Sequence, residues 1–278
     1  MRKSEFVSTK ELLPSFKHTS LDHVVYESVE QYQTLQNDPH AIFLYGENKE
    51  AEVHEIHFAV NDVQLLIDQI KSLPSTTLVT MIPPEHKSTF IRQGFAIYGE
   101  LQDYWIDPLG AQMADISDIC FLEKREYAVA SEVTKSVKGQ SREFHGESEE
   151  WVEAWVNGEE PNAKDCGSTD CNVIVHRNHG AVVGVVCVAI YGHHSSKGAV
   201  LWIREIAVRP EAQGRGIGRK LLDQALRYGI SKGAKRAFLM ADNCNHNAIK
   251  LYTDAGFVGK YDGAQVDMIY ERLNESNL

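Results

Sequence analysis

The stretch Val208–Leu222, which reads VRPEAQGRGIGRKLL, decides the fold of this chain. A mostly apolar run, Ile203–Val208, is broken by Pro210 and leads into a glycine-rich turn. After the turn, apolar residues recur at the spacing of one helix face, at Leu221, Leu222, Ala225, Leu226 and Ile230. A strand therefore turns through glycines directly into a helix, which directs backbone N–H groups and the positive helix end at one place. The sequence predicts a phosphate site at this turn.

The turn fits neither of two common phosphate-binding patterns. It lacks the Gly-Lys-Ser/Thr ending of a P-loop, and it does not spell the Gly-x-Gly-x-x-Gly of dinucleotide-binding folds. It resembles instead the pyrophosphate signature of the GNAT acetyltransferase superfamily, Gln/Arg-x-x-Gly-x-Gly/Ala, with Gln213, Gly216 and Gly218 at the fixed positions. A second motif of that family, Asn-x-x-Ala-x-x-Leu-Tyr-x-x-x-Gly-Phe, is complete from Asn245 to Phe257. Two motifs in the family's order argue against glycines that serve packing alone.

The resemblance implies an α+β (mixed α/β) fold, in which a mostly antiparallel mixed sheet is flanked by helices. It also implies acetyl-CoA as co-substrate, no metal, and direct acetyl transfer to a primary amine. The positions that match the family's cofactor-binding residues lie at the end of its fourth strand, in the glycine turn and in the second motif. They are Ile206, Ala207, Val208, Gln213, Gly214, Arg215, Gly216, Ile217, Gly218, Arg219, Asn245 and Tyr252.

The resemblance further implies that Tyr252 protonates the departing thiolate, although a tyrosine near a helix end can also be a core aromatic. The resemblance does not assign the general base, because Arg204 stands where many family members carry a carboxylate or histidine. The carboxylate is displaced by one position, to Glu205, and adjacent strand residues face opposite sides. Glu205 can therefore act as base only if a β-bulge re-aims it. Asp242 and a chain of water molecules are the alternatives.

The chain also contains an internal repeat. Residues 87–95 echo residues 249–257, and residues 57–60 correspond to residues 205–208. The first copy lacks seven residues where the glycine turn would be, and it has Phe90 in place of Tyr252. We therefore expect two tandem GNAT-like domains: residues 1–118 as a degenerate copy without the CoA loop, and residues 119–278 as the acetyl-CoA-binding catalytic domain.

Charge is divided unevenly between these halves. Residues 1–118 carry 8 Lys and Arg against 18 Asp and Glu, whereas residues 119–278 carry 20 against 21. Acidic residues in or beside a predicted hairpin, Glu47, Glu50, Glu52 and Glu55, form either a solvated surface or a field that attracts a cationic acceptor. On the second interpretation the first half shapes the acceptor site, and the acceptor is a small-molecule or protein amine. The net charge of −11 disfavours nucleic acid as a partner.

Cysteine usage and hydropathy suggest a cytoplasmic protein. The five cysteines are irregularly spaced, which favours reduced thiols. No apolar run reaches the roughly 20 residues of a membrane span, and the first residues do not resemble a secretory signal. Cys166, Cys171, His176 and His179 have a loosely metal-like order, but we expect a loop and strand edge there rather than a metal site.

The coarse secondary structure includes a strand over 126–133, helical sequence over 24–38, and two hairpins. The hairpins are predicted to turn at residues 46–48 and at residues 178–180. One functional alternative from another class also fits the motifs, namely a non-catalytic acyl-CoA-binding regulatory module.

Overall fold

A computed structural model describes residues 1–49, 51–110, 115–142 and 144–272 of the chain. It divides into two compact units. The first comprises Met1–Leu101 together with Ala264–Leu278, and the second is Gln102–Gly263. The predicted division at 118/119 does not coincide with this one, because the described residues from 102 to 118 group with the second unit and residues 264–272 group with the first.

The first unit is a mixed sheet with helices. Its strands follow the order β2-β3-β4-β5-β11, and β1 pairs with β4. The β4–β5 pair is parallel and the other pairs are antiparallel. The elements are α1 (Lys3–Leu12), β1 (His18–Thr19), α2 (Tyr26–Val29), β2 (Gln33–Asn37), β3 (Ala41–Asn48), β4 (Val53–Val60), α3 (Val63–Ser72), β5 (Thr77–Ile82), α4 (Lys87–Arg92), the start of β6 (Ala96–Ile106) and the second half of β11 (Val258–Tyr270).

The second unit contains the end of β6 and the strands β10-β9-β8-β7. Pairs β7–β8 and β8–β9 are antiparallel and pair β9–β10 is parallel. The elements are α5 (Tyr127–Lys135), α6 (Glu149–Asn157), α7 (Pro161–Asp165), β7 (Thr169–Asn178), β8 (Ala181–Tyr191), β9 (Val200–Val208), α8 (Ile217–Ser231), β10 (Arg236–Asp242) and α9 (His246–Asp254). None of the helices that the structure describes is long and apolar enough to cross a membrane.

Each unit contains a strand–helix–strand segment with parallel strands, β4–α3–β5 in the first and β9–α8–β10 in the second. The link between strand and helix differs in length. In the first unit only Asn61 and Asp62 intervene, and the Asp62 side chain caps α3 by accepting from the Gln64 amide at 2.9 Å. In the second unit residues 209–216 intervene, and these form the glycine turn.

The predicted hairpin at 178–180 is confirmed, with His179 and Gly180 at positive φ between β7 and β8. The predicted strand over 126–133 is wrong. This segment forms α5, since Glu123 and Glu126 make a capping box and the buried residues Tyr127, Ala130 and Thr134 recur at helical spacing.

Two expectations for the first unit are also wrong. Residues 24–38 form only the short helix α2 and then the strand β2. The hairpin of β3 and β4 turns after Asn48. Gly46 lies within β3, where a methyl group would lie 2.3 Å from the Tyr32 ring, so this glycine serves close packing rather than a turn.

Candidate active site

The turn between β9 and α8 contains two glycines in the left-handed region. Gly214 has φ +73° and Gly216, the residue that precedes α8, has φ +77°. A methyl group at either position would meet nothing within 4 Å, so conformation rather than packing requires glycine here. The Gln213 side chain donates to the Val208 carbonyl at 2.9 Å and thereby ties the turn to the end of β9.

Helix α8 begins at Ile217, and the amides of a first helical turn have no acceptor within the helix. They are directed into the open space beside the two glycines, where an anion would be stabilised. Arg215, which is exposed, has no hydrogen bond or ion pair among the described residues, so its cation is available to such an anion. The Arg219 side chain is engaged instead, donating to the Asp254 carbonyl at 2.9 Å and pairing with the Asp254 carboxylate at 3.4 Å.

Strands β9 and β10 pair only where they begin. Within the described residues, their parallel register runs from Val200 to Trp202 on β9, opposite Arg236 to Phe238 on β10. The rest of β9, including Ile206, Ala207 and Val208, continues its pairing with β8 alone. Alternate backbone groups on this part of β9 are therefore not used by β8 and face the gap towards β10. The gap opens at the same end of the sheet as the glycine turn.

A β-bulge interrupts β9 at Arg204. The register with β8 pairs Ile203 with Val188 and Glu205 with Cys187, which leaves Arg204 as the extra residue. Arg204 contacts the α6 side, where its guanidinium lies 5.8 Å from the Trp151 ring centroid. Beyond the bulge, Ala207 and Cys187 are buried in the core cluster on the α5–α6 side of the sheet, against which Trp151 also packs. Glu205 thus faces the α5–α6 side. The β-bulge on which its proposed role as base depends is therefore present.

Glu205 is partly buried in this position. The pKa of its carboxyl is raised to about 8, chiefly by burial, while the nearby Arg204 lowers it and Glu147 raises it. The Arg204 guanidinium lies 3.9 Å from the Glu147 carboxylate. A carboxyl with a pKa near the working pH is suited to accept a proton during a reaction.

Tyr252 lies on α9, with 6% of its surface exposed. Its ring is 6.2 Å from that of Phe257 and belongs to the core cluster on the α8–α9 side of the sheet. Burial, and to a smaller extent Glu205, raise the pKa of the phenol, so its proton is retained at neutral pH. Its hydroxyl makes no hydrogen bond within the described part of the chain. The protonated phenol of Tyr252 and the carboxyl of Glu205 therefore lie on opposite sides of the sheet, near enough for Glu205 to affect the phenol pKa.

Asp242 does not have the properties of a base. Its side chain is fully buried and receives two hydrogen bonds from the Arg142 side chain, at 2.6 and 3.0 Å. The backbone amides of Arg142 and Cys244 donate to it as well. These donors outweigh the effect of burial and hold the pKa of Asp242 well below its usual range. A carboxylate so stabilised is a poor proton acceptor, so Asp242 is a structural anchor rather than a second candidate base.

Asn245 caps α9, because its side-chain oxygen accepts from the Ala248 amide at 3.2 Å. Gly218, in the first turn of α8, is adjacent to the same helix, since a methyl group there would lie 3.4 Å from Leu251 Cδ2. The second motif thus positions α9, and with it Tyr252, beside the start of α8.

The cysteine–histidine order noted in the sequence does not form a cluster. Among the described residues, the group with metal-binding geometry is a different one, His18, Glu85 and His86 in the first unit. The acidic surface of the first unit is also smaller than expected. Glu55 is buried and accepts from the Tyr32 hydroxyl at 3.0 Å, and Glu50 lies outside the described residues.

Comparison with known proteins agrees with this geometry. Residues 137–257 match the family model for the acetyltransferase (GNAT) family. A mycothiol acetyltransferase from Stackebrandtia nassauensis is 37% identical over 78 residues, covering 28% of this chain and 25% of that enzyme. A mycothiol acetyltransferase from Acidothermus cellulolyticus is 35% identical over 100 residues, covering 36% of this chain and 28% of that enzyme. The chain thus matches only about a quarter of the length of these relatives.

Solved structures match over more of the chain. An acetyltransferase of the GNAT family from Colwellia psychrerythraea covers 98% of both chains with a TM-score of 0.55 and 11% identity. A GCN5-related N-acetyltransferase from Sphaerobacter thermophilus covers 90% of this chain and 86% of that one, with a TM-score of 0.53 and 15% identity. At such identities the likeness establishes the fold alone, a mixed sheet with flanking helices.

Diverging parallel strands, a glycine turn and a helix start come together within the second unit, and the residues that form them lie in the segment that matches an acetyltransferase family model. The match to the acetyltransferase (GNAT) family, whose members use acetyl-CoA as co-substrate, spans residues 137–257, which is less than half of this chain.

Proposed function

We propose that the second unit transfers an acetyl group from acetyl-CoA to a primary amine. The observation that supports this most directly is the β9–β10 gap, which opens beside the left-handed Gly214 and Gly216. In this proposal the pyrophosphate lies against the first turn of α8 and Arg215, and the thioester enters the gap between Glu205 and Tyr252.

The proposed reaction is direct transfer. Glu205, itself or through a water molecule, takes a proton from the acceptor ammonium, because a protonated amine has no free electron pair for attack. The amine nitrogen then bonds to the thioester carbon, and backbone N–H groups on β9 that face the gap stabilise the oxyanion. As the C–S bond breaks, Tyr252 gives its proton to the thiolate sulfur. The attacking nitrogen loses its second proton to solvent as the amide forms, so the products are an amide, the free thiol of CoA and one proton. The proton held by Glu205 returns through solvent to Tyr252.

We also propose that the first unit is a degenerate copy of the second. Its β4–α3–β5 segment has the same order and parallel pairing, but two residues replace the eight-residue glycine turn. Phe90, which is fully buried, occupies the position of Tyr252 in the repeat. Without the turn and the phenol this unit lacks the means to hold the pyrophosphate or protonate a thiolate, so we expect one acetyl-CoA per chain.

The acceptor is proposed to be a cationic amine, since Glu147 and Glu205 both lie on the α5–α6 side of the second unit, where an acceptor would approach. The substrate that gives the mycothiol acetyltransferases their name is not carried over to this chain, because the similarity spans about a quarter of their length. Release of free thiol from acetyl-CoA, measured across panels of small-molecule and peptide amines, would identify the acceptor class.

Gly216→Glu tests the cofactor site. The substitution places negative charge where the pyrophosphate is proposed to lie, and we expect acetyl-CoA affinity in calorimetry to fall by about 100-fold or more through charge repulsion. Gly233→Glu is the matched control, since Gly233 has φ +85° and equally open surroundings but lies after the other end of α8. Both substitutions place a side chain at a positive φ in open surroundings, so the control accounts for backbone strain and added charge.

Equal affinity for acetyl-CoA in the Gly216→Glu and Gly233→Glu proteins would contradict the assignment of the turn. Two acetyl-CoA molecules per chain would contradict the degenerate copy. Binding without release of thiol for any amine would instead favour the regulatory module.

A further inference from the structure

Three potential metal ligands converge in the first unit, on elements that take no part in the proposed acetyl-transfer site. His18, Glu85 and His86 each offer one ligand atom, and these atoms all lie within 4.8 Å of one another. The two imidazole rings meet edge to face, with centroids 5.0 Å apart and an interplanar angle of 88°. His18 is more than sixty residues from the other two, so the fold rather than local sequence creates this cluster.

The backbone that presents these side chains is well constrained. His18 lies on β1, opposite Val60 of β4, and the amide of the preceding residue donates to the Asn61 side chain at 3.0 Å. Glu85 and His86 follow two prolines, whose rings fix φ. The His86 amide donates to the Pro83 carbonyl at 2.9 Å and closes the turn before α4. The ligands are therefore held close together before any ion binds.

These side chains have no competing partner. Over the ranges that the structure describes, none of the three side chains makes a hydrogen bond or a salt bridge. His57 of the same unit is different, because it lies 3.4 Å from the Ser20 hydroxyl and 3.6 Å from the Glu55 carboxylate. Two of the three cluster residues are partly buried and Glu85 is exposed, so an ion could reach the cluster from solvent.

We propose that His18, Glu85 and His86 bind Zn²⁺ as three protein ligands with a water molecule in a fourth, open position. Two imidazole nitrogens and one carboxylate oxygen are a donor set that suits zinc, whereas Mg²⁺ and Ca²⁺ take oxygen ligands. Zinc–ligand distances of about 2.1 Å place tetrahedral ligands about 3.4 Å apart, which side-chain rotation reaches from the present separations. The excess of 18 acidic over 8 basic residues within residues 1–118 also favours a cation.

The test uses the full-length chain without a histidine tag, titrated with Zn²⁺ in a calorimeter and with Co²⁺ in a spectrophotometer. Wild-type protein should show a zinc site and the visible absorption of tetrahedral Co²⁺. In His18→Ala and His86→Ala this site should weaken by more than about 100-fold, since loss of even an outer partner costs about 10- to 100-fold. Glu85→Gln should weaken it too. This substitution should leave the fold intact, because Glu85 is exposed and glutamine has nearly the same shape.

His40→Ala is the matched control, because His40 is an exposed histidine of the same unit outside the cluster. It should bind zinc as the wild type does. Any zinc bound by thiols elsewhere in the chain should be the same in all variants. Circular dichroism establishes that each variant is folded. Zinc affinity and Co²⁺ absorption that are the same in wild type, Glu85→Gln and His18→Ala would overturn the proposal, as would a wild type that binds no zinc.

Discussion

At the residue scale, Glu205 and Tyr252 share a property that bears on their proposed roles. Burial is the main cause of the raised pKa of each group. At neutral pH the phenol is therefore protonated and ready to donate, whereas the carboxyl must first lose a proton before it can act as base. The same physical effect thus suits one group to its role at all ordinary pH values and makes the other dependent on pH.

Replacing Tyr252 by Phe removes the proposed proton donor. We expect kcat to fall by about 100-fold or more, within the usual range for a general acid, because the thiolate must then leave unprotonated. The dissociation constant for acetyl-CoA should barely change. Tyr228→Phe is the matched control, since the Tyr228 hydroxyl is bound to Asn172 at 2.7 Å and to the Asp170 carbonyl. A Tyr252→Phe enzyme with the kcat of Tyr228→Phe would remove Tyr252 from the mechanism.

The raised pKa of Glu205 predicts how the reaction rate and the stability of the protein depend on pH. As base, it should make kcat/KM rise with an apparent pKa of about 8, and Glu205→Gln should abolish that rise. Its folded-state pKa exceeds the ordinary value of 4.5, so its contribution to stability is full below pH 4.5 and is lost as pH rises through 8. Relative to Glu205→Gln, the wild type should lose about 2 kcal/mol of unfolding free energy between pH 6 and 8.

The two measurements separate two roles for this residue. If the stability difference appears but the rate profile is unchanged in Glu205→Gln, the carboxyl is buried without acting as base, and a water chain takes that role. If unfolding of the wild type and the variant responds identically to pH, the raised pKa itself is wrong.

At the scale of elements, the sequence predicts the glycine turn, α8 and the β7–β8 hairpin well, because each depends on local signals. Left-handed positions need glycine, helices need a spaced apolar face, and a tight hairpin needs turn residues. The motif around Tyr252 is informative for the same reason.

The β9 bulge and α5 show where local signals fail. The orientation of Glu205 depends on whether β8 pairs with β9 without a break, which is a property of two strands and not of one. The apolar residues of 126–133 fit a strand or a helix in a short window, and the capping pair Glu123 and Glu126 decides in favour of the helix. The anchoring of Asp242 by Arg142, which is distant in the chain, has no sequence signal at all.

At the scale of the molecule, the first unit is completed by residues from the far end of the chain. Val266 and Met268 of β11 are buried beside β5, and the Asp267 side chain accepts from the Met81 amide at 2.6 Å. The sequence could not indicate this, since the repeat suggests two consecutive domains and strand partners are chosen by packing over long separations.

Met268→Ala should destabilise the first unit selectively. Met268 is fully buried, so the cavity should cost about 2–5 kcal/mol, and β5 should lose protection in hydrogen exchange while α8 retains it. Met240→Ala is the matched control, because Met240 on β10 is 39% exposed and its truncation should change little. Equal loss of protection in β5 and α8 would show that the two units unfold as one.

The contribution of β11 to the first unit also sets an order of events during protein synthesis. Chains fold from the amino terminus as they leave the ribosome. The edge of β5 that pairs with β11 stays unpaired until residues 264–270 have emerged. By then every residue of the second unit has been made. The half of the molecule that is synthesised first is thus the half that is finished last, and β5 must wait with an unpaired edge, the kind of surface on which chaperones act.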